Sequence, residues 1–381
     1  MTTGASLTPV GRARSGPSPL DFFVRYGVLV IFLLVLIVFS LSIDNFVSMN
    51  TLTSVLQAQT VAGIAALGMT LTAIVGDLDL SVGGIVGLSV TVAALVMIKY
   101  ALTGGTAIIV CLLTGLVAGS INAVLIVFLN IPPLLATLGM MFTAQGLKRW
   151  LVDGQTLVSG LTLPGQDAPL KGKFTAGFAA IDGNRLWGLP YSVYVFIALA
   201  VIMWIFLEAT RFGRLFYAVG GNPEAARLAG TRINRYRFAA YAISGLLAAV
   251  AGIILASRLR QGDVTAGDST LLDAVAMTLV GYAVLGAKKP NAFGTVIGAL
   301  FIGVVLYGLT RLQMSYYTQD LIKGLVLIFA LLISFSLRRR RRRAPAVVAP
   351  GGGAPEAVAP PVVASPVVAQ SPNGTETDGH A

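Results

Sequence analysis

Thr106–Leu129 reads TAIIVCLLTGLVAGSINAVLIVFL, 24 residues without a charge. At 1.5 Å per residue such a helix is about 36 Å long, more than the ~30 Å of hydrocarbon in a bilayer. Similar runs recur on both sides. The spans are placed near 24–42, 51–75, 82–98, 106–129, 132–151, 190–209, 238–257, 271–287, 292–310 and 318–337. The run Val24–Ser42 is too long and too evenly apolar for a signal-peptide core, and reads as an uncleaved first span. The fold class that follows is all-α, a polytopic membrane helical bundle of about ten transmembrane helices.

Composition agrees. Hydrophobic residues make up 56% of the chain and charged residues 11%, where a soluble domain carries about a quarter. Lipid must be the solvent for much of this surface. The 43 glycines suit closely packed membrane helices.

Several chemistries are excluded. Cys111 is the lone cysteine and His380 the lone histidine, so neither an internal disulfide, a His-rich metal site nor a Ser/His/Asp triad within the spans can form. No Gly-x-x-x-x-Gly-Lys-Ser/Thr loop is present. No catalytic, cofactor-binding or metal-ligating residue is assigned. If the chain transports actively, another subunit must supply the energy.

The net charge is +11, and six positive charges form the run Arg338–Arg343 directly after the last span. Beside a membrane span such a run points to topology control and anionic lipid rather than nucleic acid. With both termini inside, seventeen Lys and Arg fall on inner segments and nine on outer ones. The outer set includes Lys148, Arg149 and Arg258. The bias places both termini in the cytoplasm. Residues 1–21 read as a disordered lead, 22–337 as the membrane domain, and 338–381 as a basic run with a low-complexity tail.

The acidic residues stand at span edges: Asp77 and Asp79 between spans 2 and 3, Glu208 after span 6, Asp273 and Asp320 at the openings of spans 8 and 10. None lies clearly mid-span, which counts against a proton- or sodium-coupled carrier. Lys323 lies inside span 10, close enough to its start to snorkel to the interface.

Two segments carry most of the functional information. The first is the connector 210–237, with Gly220-Gly221-Asn222-Pro223-Glu224-Ala225-Ala226-Arg227-Leu228-Ala229-Gly230 at its centre. Asn222 suits an N-cap, Pro223 the first helical position, Glu224 the positive helix end and Gly230 the left-handed stop. A helix of about seven residues follows, with Ala225, Leu228 and Ala229 on one face. So short a helix needs a surface to pack on. Either it packs on the chain's own spans or it docks on a cytoplasmic ATPase. The second segment is Gly76-Asp77-Leu78-Asp79-Leu80-Ser81-Val82-Gly83-Gly84. Asp79 or Ser81 can cap the next helix, and Gly83, Gly84 and Gly87 allow a neighbour to approach closely. It is either a capped turn or a hinge beside a translocation path, with Asp77, Asp79, Ser81, Gly83 and Gly84 as its residues.

These segments resemble a known family. Asp79–Gly83 resembles the signature of ribose/xylose-type permeases, the membrane subunits of bacterial ATP-binding cassette (ABC) sugar importers. Gly213-Arg214 through Gly230 resembles their cytoplasmic coupling loop, Leu134–Met141 their fifth span, and Thr265–Gly267 with Leu272–Ala276 the entry to their eighth. The region 281–291 departs from the family pattern, which bears on substrate more than on fold. The resemblance implies a permease subunit, itself not an enzyme, in a bacterial inner membrane. It implies a second permease copy or paralogue, a cytoplasmic ABC ATPase on the coupling helices (Asn222, Pro223, Glu224, Ala225, Arg227, Leu228, Gly230) and a periplasmic sugar-binding protein. A secondary carrier and a membrane scaffold or receptor are the competing classes.

Overall fold

The computed structural model describes residues 19–162, 168–284, 289–315, 317–326 and 328, with the backbone alone for residues 19–26 and for Ala283. The readings placed on Arg12, Arg14, Lys288, the Arg338–Arg343 run and the tail lie outside the described residues.

Helical segments stand at all ten expected places: α1 (Pro19–Ser42), α2 (Met49–Ile74), α3 (Val82–Ala94, continuing as a π turn over Leu95–Lys99), α4 (Gly104–Val127), α5 (Pro133–Trp150), α7 (Tyr191–Ala209), α10 (Ile233–Leu259), α11 (Thr270–Ala283), α12 (Ala292–Arg311) and residues 317–326. Among the described residues, six of them are long and apolar enough to cross a membrane: α2, α3 with its π turn, α4, α7, α10 and α12. The chain is thus a multi-pass helical membrane protein.

Helix starts follow local chemistry. The hydroxyls of Ser48 and Thr103 accept from the amides of Thr51 and Thr106, each at 3.2 Å. The Asn291 side chain accepts from Gly294 at 2.6 Å. These caps satisfy amides that the first helical turn leaves without partners. Pro133 opens α5, where its missing N–H costs nothing.

The polar stretch 152–189 holds structure that hydropathy did not predict: α6 (Ala176–Gly183) and a two-residue antiparallel pair, β1 (Arg185–Leu186) with β2 (Leu189–Pro190). The connector holds two helices rather than one, α8 (Arg211–Gly221) and α9 (Pro223–Leu228). The signal for α8 was available, since Phe212, Leu215, Phe216 and Val219 recur at helical spacing.

Helix α2 is buried over 83% of its apolar window and α3 over 94%, against 33% for α4 and 28% for α7. So α2 and α3 form the centre, and the exposed apolar faces of α4 and α7 are left for lipid or a partner. Helix α10 runs against α2, α3 and α4. Its closest approach is to α4, where a Cβ on Gly115 would collide with the Gly245 carbonyl and one on Gly245 with the Gly115 carbonyl. Lipid gives no hydrophobic drive between helices, so such backbone approach supplies the packing.

Replacing Gly245 with Val should force α4 and α10 apart and destabilise the protein by about 3 kcal/mol. Gly139 faces open space, so Gly139→Val should leave the melting temperature of purified protein near wild type. Equal melting of the two variants would contradict this packing.

Candidate functional site

At one end of the bundle lies the α2–α3 turn. Gly76 takes φ +96°, a conformation open to glycine. Asp79 is fully buried. One carboxylate oxygen accepts from the Ser81 amide at 2.9 Å and the Ser81 hydroxyl at 2.5 Å; the other accepts from Ser244 of α10 at 2.7 Å. Asn122 of α4 donates to the Ser81 hydroxyl at 2.8 Å. Asp79 thus caps α3, while the Ser81 hydroxyl serves Asp79 and makes no cap of its own. Asp79 stands in the turn between α2 and α3, fully buried, and its partner Ser244 is well inside α10.

Asp77 binds the other end of that relation. Arg237, in the first turns of α10, donates to one Asp77 oxygen through Nε at 3.1 Å and Nη2 at 2.8 Å. Both groups are largely shielded. Gly83, Gly84 and Gly87 line the face of α3 against which the Gly267–Leu271 segment, α5 and the Ala266 carbonyl pack.

The connector 210–237 meets this turn. A Cβ on Gly220 of α8 would collide with the Ile74 carbonyl at the end of α2. The next residues form α9. The Asn222 side chain accepts from the Ala225 amide at 3.1 Å, and Gly230 closes the helix at φ +79°. Thr231 donates to the Ala226 carbonyl at 2.9 Å. Ala226 faces inward, while Asn222, Pro223, Glu224, Ala225, Arg227, Leu228 and Gly230 are exposed. Leu228 is 83% exposed, an apolar side chain held outward by a self-capped turn.

The opposite end of the bundle holds a cavity of about 570 Å³ between α2, α10, α11, α12 and the 265–270 loop. Gln59, Arg258, Thr270, Asp273 and Thr310 give its wall hydrogen-bonding groups. That size and mixture suit a small polar solute. Arg258 is fixed in place: Nε donates to Asp182 of α6 at 2.9 Å and Nη2 to the Gln57 carbonyl at 2.6 Å. Ser192 of α7 donates a short hydrogen bond to Asp182. Burial pushes the Asp182 carboxyl up, but its bonds from Arg258, Ser192 and Gln57 outweigh this and hold it below the usual carboxylate range.

Lys148, counted among outer charges, is fully buried in α5; it donates to the Ala266 carbonyl and pairs with Asp268, both at 2.8 Å. Lys323 pairs with Asp273 of α11 at 3.2 Å and with Asp320 at 3.6 Å.

A family model described as branched-chain amino acid transport system / permease component matches residues 50–331. The chain belongs to this permease family. The permease is 34% identical over 307 residues to the ribose import permease protein RbsC of Escherichia coli (strain K12), covering 81% of this chain and 92% of that one. It is 35% identical to RbsC of Bacillus subtilis (strain 168), covering 80% and 90%. It is 30% identical to the galactose/methyl galactoside import permease protein MglC of E. coli (strain K12), covering 85% and 97%. No solved structure matches the permease.

The pairings of Gln57, Lys148, Asp182, Arg237, Ser244 and Arg258 escaped the sequence reading of the permease. Each has a partner at least 75 residues away, and no local pattern marks such pairs.

Asp77→Ala should leave Arg237 half-buried without its partner and lower stability by about 2 kcal/mol. The exchanged pair Asp77→Arg with Arg237→Asp should recover part of that loss in thermal melts; no recovery would mean the pair itself contributes little. Asp182 has a depressed folded-state pKa, so its contribution is present above the ordinary carboxylate value of about 4 and disappears as pH falls through the folded value. The melting temperature of Asp182→Asn should therefore lie below wild type at neutral pH, with the gap closing at strongly acid pH.

Proposed function

We propose that the chain is the membrane-spanning subunit of an ABC importer that carries a monosaccharide from periplasm to cytoplasm. A separate ATPase would drive it through residues 222–230. The observation that carries this reading is α9, a short, self-capped helix presenting Leu228 to solvent. A helix of six residues is not stable alone in water. Its own bundle covers Ala226 and leaves the Leu228 face for a partner.

Relatives named for ribose and galactose import support a sugar as substrate. So does the outer cavity, whose amide, hydroxyl, guanidinium and carboxylate groups can match hydroxyl groups of either hydrogen-bonding sense. The region 281–291, which departs from the family pattern, and the free choice among pentoses, hexoses and polyols go together in this proposal.

On the same reading the ten helical segments are ten spans, with both termini in the cytoplasm of a bacterial inner membrane. Residues 1–21 and 338–381 flank the membrane domain 22–337. The turn 75–81, the connector 210–237 and the 284–291 loop face the cytoplasm. The 570 Å³ cavity opens toward the periplasm, where a sugar-binding protein would deliver its cargo. A second permease copy or paralogue completes the pathway. Asp77, Asp79, Ser81, Gly83 and Gly84 form the turn through which movement of the connector reaches the path. A secondary carrier remains the alternative, and the complete burial of the Asp79 carboxylate is the observation that favours it.

Leu228→Asp should reduce co-purification of the ATPase at least tenfold, an effect of about 1.4 kcal/mol or more, while membrane insertion is unchanged. Normal co-purification and uptake in that variant would remove α9 from the coupling role. Cys111 is buried, so a cysteine introduced at Ala225 can be labelled selectively by an impermeant maleimide. It should react in inverted vesicles and stay protected in intact cells. Uptake of labelled ribose or galactose should survive a proton uncoupler at preserved ATP. Uptake that collapses with the uncoupler and survives loss of the ATPase would establish the secondary carrier.

A further inference from the structure

A second cavity, a groove of about 530 Å³, lies at the coupling end of the bundle, between the end of α7, α8, the 229–232 turn and the first half of α10. Its two ends differ chemically. At the mouth stand Arg232 and Arg235, both exposed. Among the described residues neither guanidinium has an ion-pair or hydrogen-bond partner. Farther in, the walls are Phe206, Phe216, Tyr236, Ala239 and Ile243. The three rings pack edge to face, with centroids 5.7 Å apart for Phe206 and Phe216 and 5.2 Å for Phe216 and Tyr236. The wall is therefore preformed. Arg235 and Ile243 are eight residues apart on one helix, so the groove runs about 12 Å from its charged mouth to its apolar end.

We propose that this groove binds an anionic phospholipid, with the headgroup phosphate on Arg232 and Arg235 and an acyl chain along Ala239 and Ile243. Guanidinium forks match phosphate oxygens, and basic pockets between membrane helices on the cytoplasmic side attract anionic headgroups. The occupant has to be amphipathic in the same direction and over the same length as the groove. A docking ATPase can reach the arginines from water, but it cannot fill the apolar end inside the bilayer. Free phosphate satisfies the mouth alone. The inference rests on the reading that residues 210–237 face the cytoplasm.

The groove has a functional setting. Ala229, Gly230 and Thr231, the stop of the coupling helix, form part of its wall. Phe212, Leu215 and Phe216 of α8 form another part, and α8 carries the Gly220 contact to α2. A bound lipid would brace the coupling segment from the membrane side, so anionic lipid should raise coupled ATPase activity.

The test uses the permease purified with its ATPase and placed in nanodiscs of phosphatidylcholine, with or without about a third of phosphatidylglycerol. Lipid retained by the complex is read by native mass spectrometry. Wild type should retain phosphatidylglycerol in preference to phosphatidylcholine. Arg232→Gln with Arg235→Gln should weaken that retention by roughly fivefold per guanidinium removed. Ala239→Phe, which fills the apolar end and leaves both arginines, should weaken it too; Ile243→Trp serves the same purpose if the first variant does not fold. Arg311→Gln, in the last turn of α12 away from the groove, should retain the lipid as wild type does. Unchanged retention in the arginine pair would overturn the proposal. So would displacement of the lipid by inorganic phosphate, which would make this a free-anion site. Loss of the ATPase with the lipid still held would assign the arginines to docking instead. Maleimide labelling at Ala225 reports which side the loop faces and lipid retention reports the site, so the two readings fail separately.

Discussion

Backbone-to-backbone contact at α10 governs the arrangement of the other helices. Gly245 against Gly115, Tyr241 carbonyl against Gly119, Ser244 against Gly68 and the Val86 carbonyl against Gly252 bring α10 onto α4, α2 and α3 with no side chain larger than alanine or serine at these contacts. In lipid, where water gives no drive to pack apolar helices, this proximity has to come from small residues. It also explains why polar groups can meet so deep. Ser244 reaches Asp79, and Asn122 reaches Ser81, because the helices carrying them stand at glycine distance.

Among the described residues, the shielded charges stand toward the two ends of the bundle and are paired there. At the coupling end, Arg237 holds Asp77 and three donors hold Asp79. At the cavity end, Arg258 holds Asp182, Lys148 holds Asp268 and Lys323 holds Asp273. A charge removed from water has to find such partners, since the cost of leaving it alone exceeds that of any single packing contact. The pairs cross between elements far apart in sequence. They tie the segment 176–183 to α10 and the segment 260–269 to α5.

This division sets what could be read from the amino-acid order. Hydropathy located helical segments at the ten expected places, as far as the described residues reach, because an apolar run of that length is distinctive whatever its neighbours. The self-capped helix at 222–230 was legible too, because Asn222, Pro223 and Gly230 act on their immediate neighbours. Helix α8 was overlooked although its apolar spacing was present, since eleven residues beside a span read as connector. Lys148 and Arg258 could not be placed. Each lies near the end of a helix, where exposure and burial look alike, and the Ala266 carbonyl and Asp182 that decide between them are more than 70 residues distant. The burial of Asp79 was not legible either, since Ser244, which holds it from α10, is 165 residues away.

Helix α2 joins the two ends. Ser54, Ala58, Gln59 and Ala62 line the outer cavity, and Ile74 meets Gly220 of the coupling segment. Ala58 and Ile74 are sixteen residues apart, about 24 Å along the helix. No proline interrupts the helix between them, and the intervening residues are buried almost throughout. Coupling between distant sites needs a rigid element with a definite contact at each end. On the proposed function, α2 is that element. A push delivered at Leu228 passes through α8 to the Ile74 carbonyl, where a glycine leaves no compressible side chain to absorb it. It then arrives at Gln59 as displacement of a whole helix. The absence of a Cβ at residue 220 would on this view serve transmission as well as packing, because contact between two backbones has no rotamer through which motion can be lost.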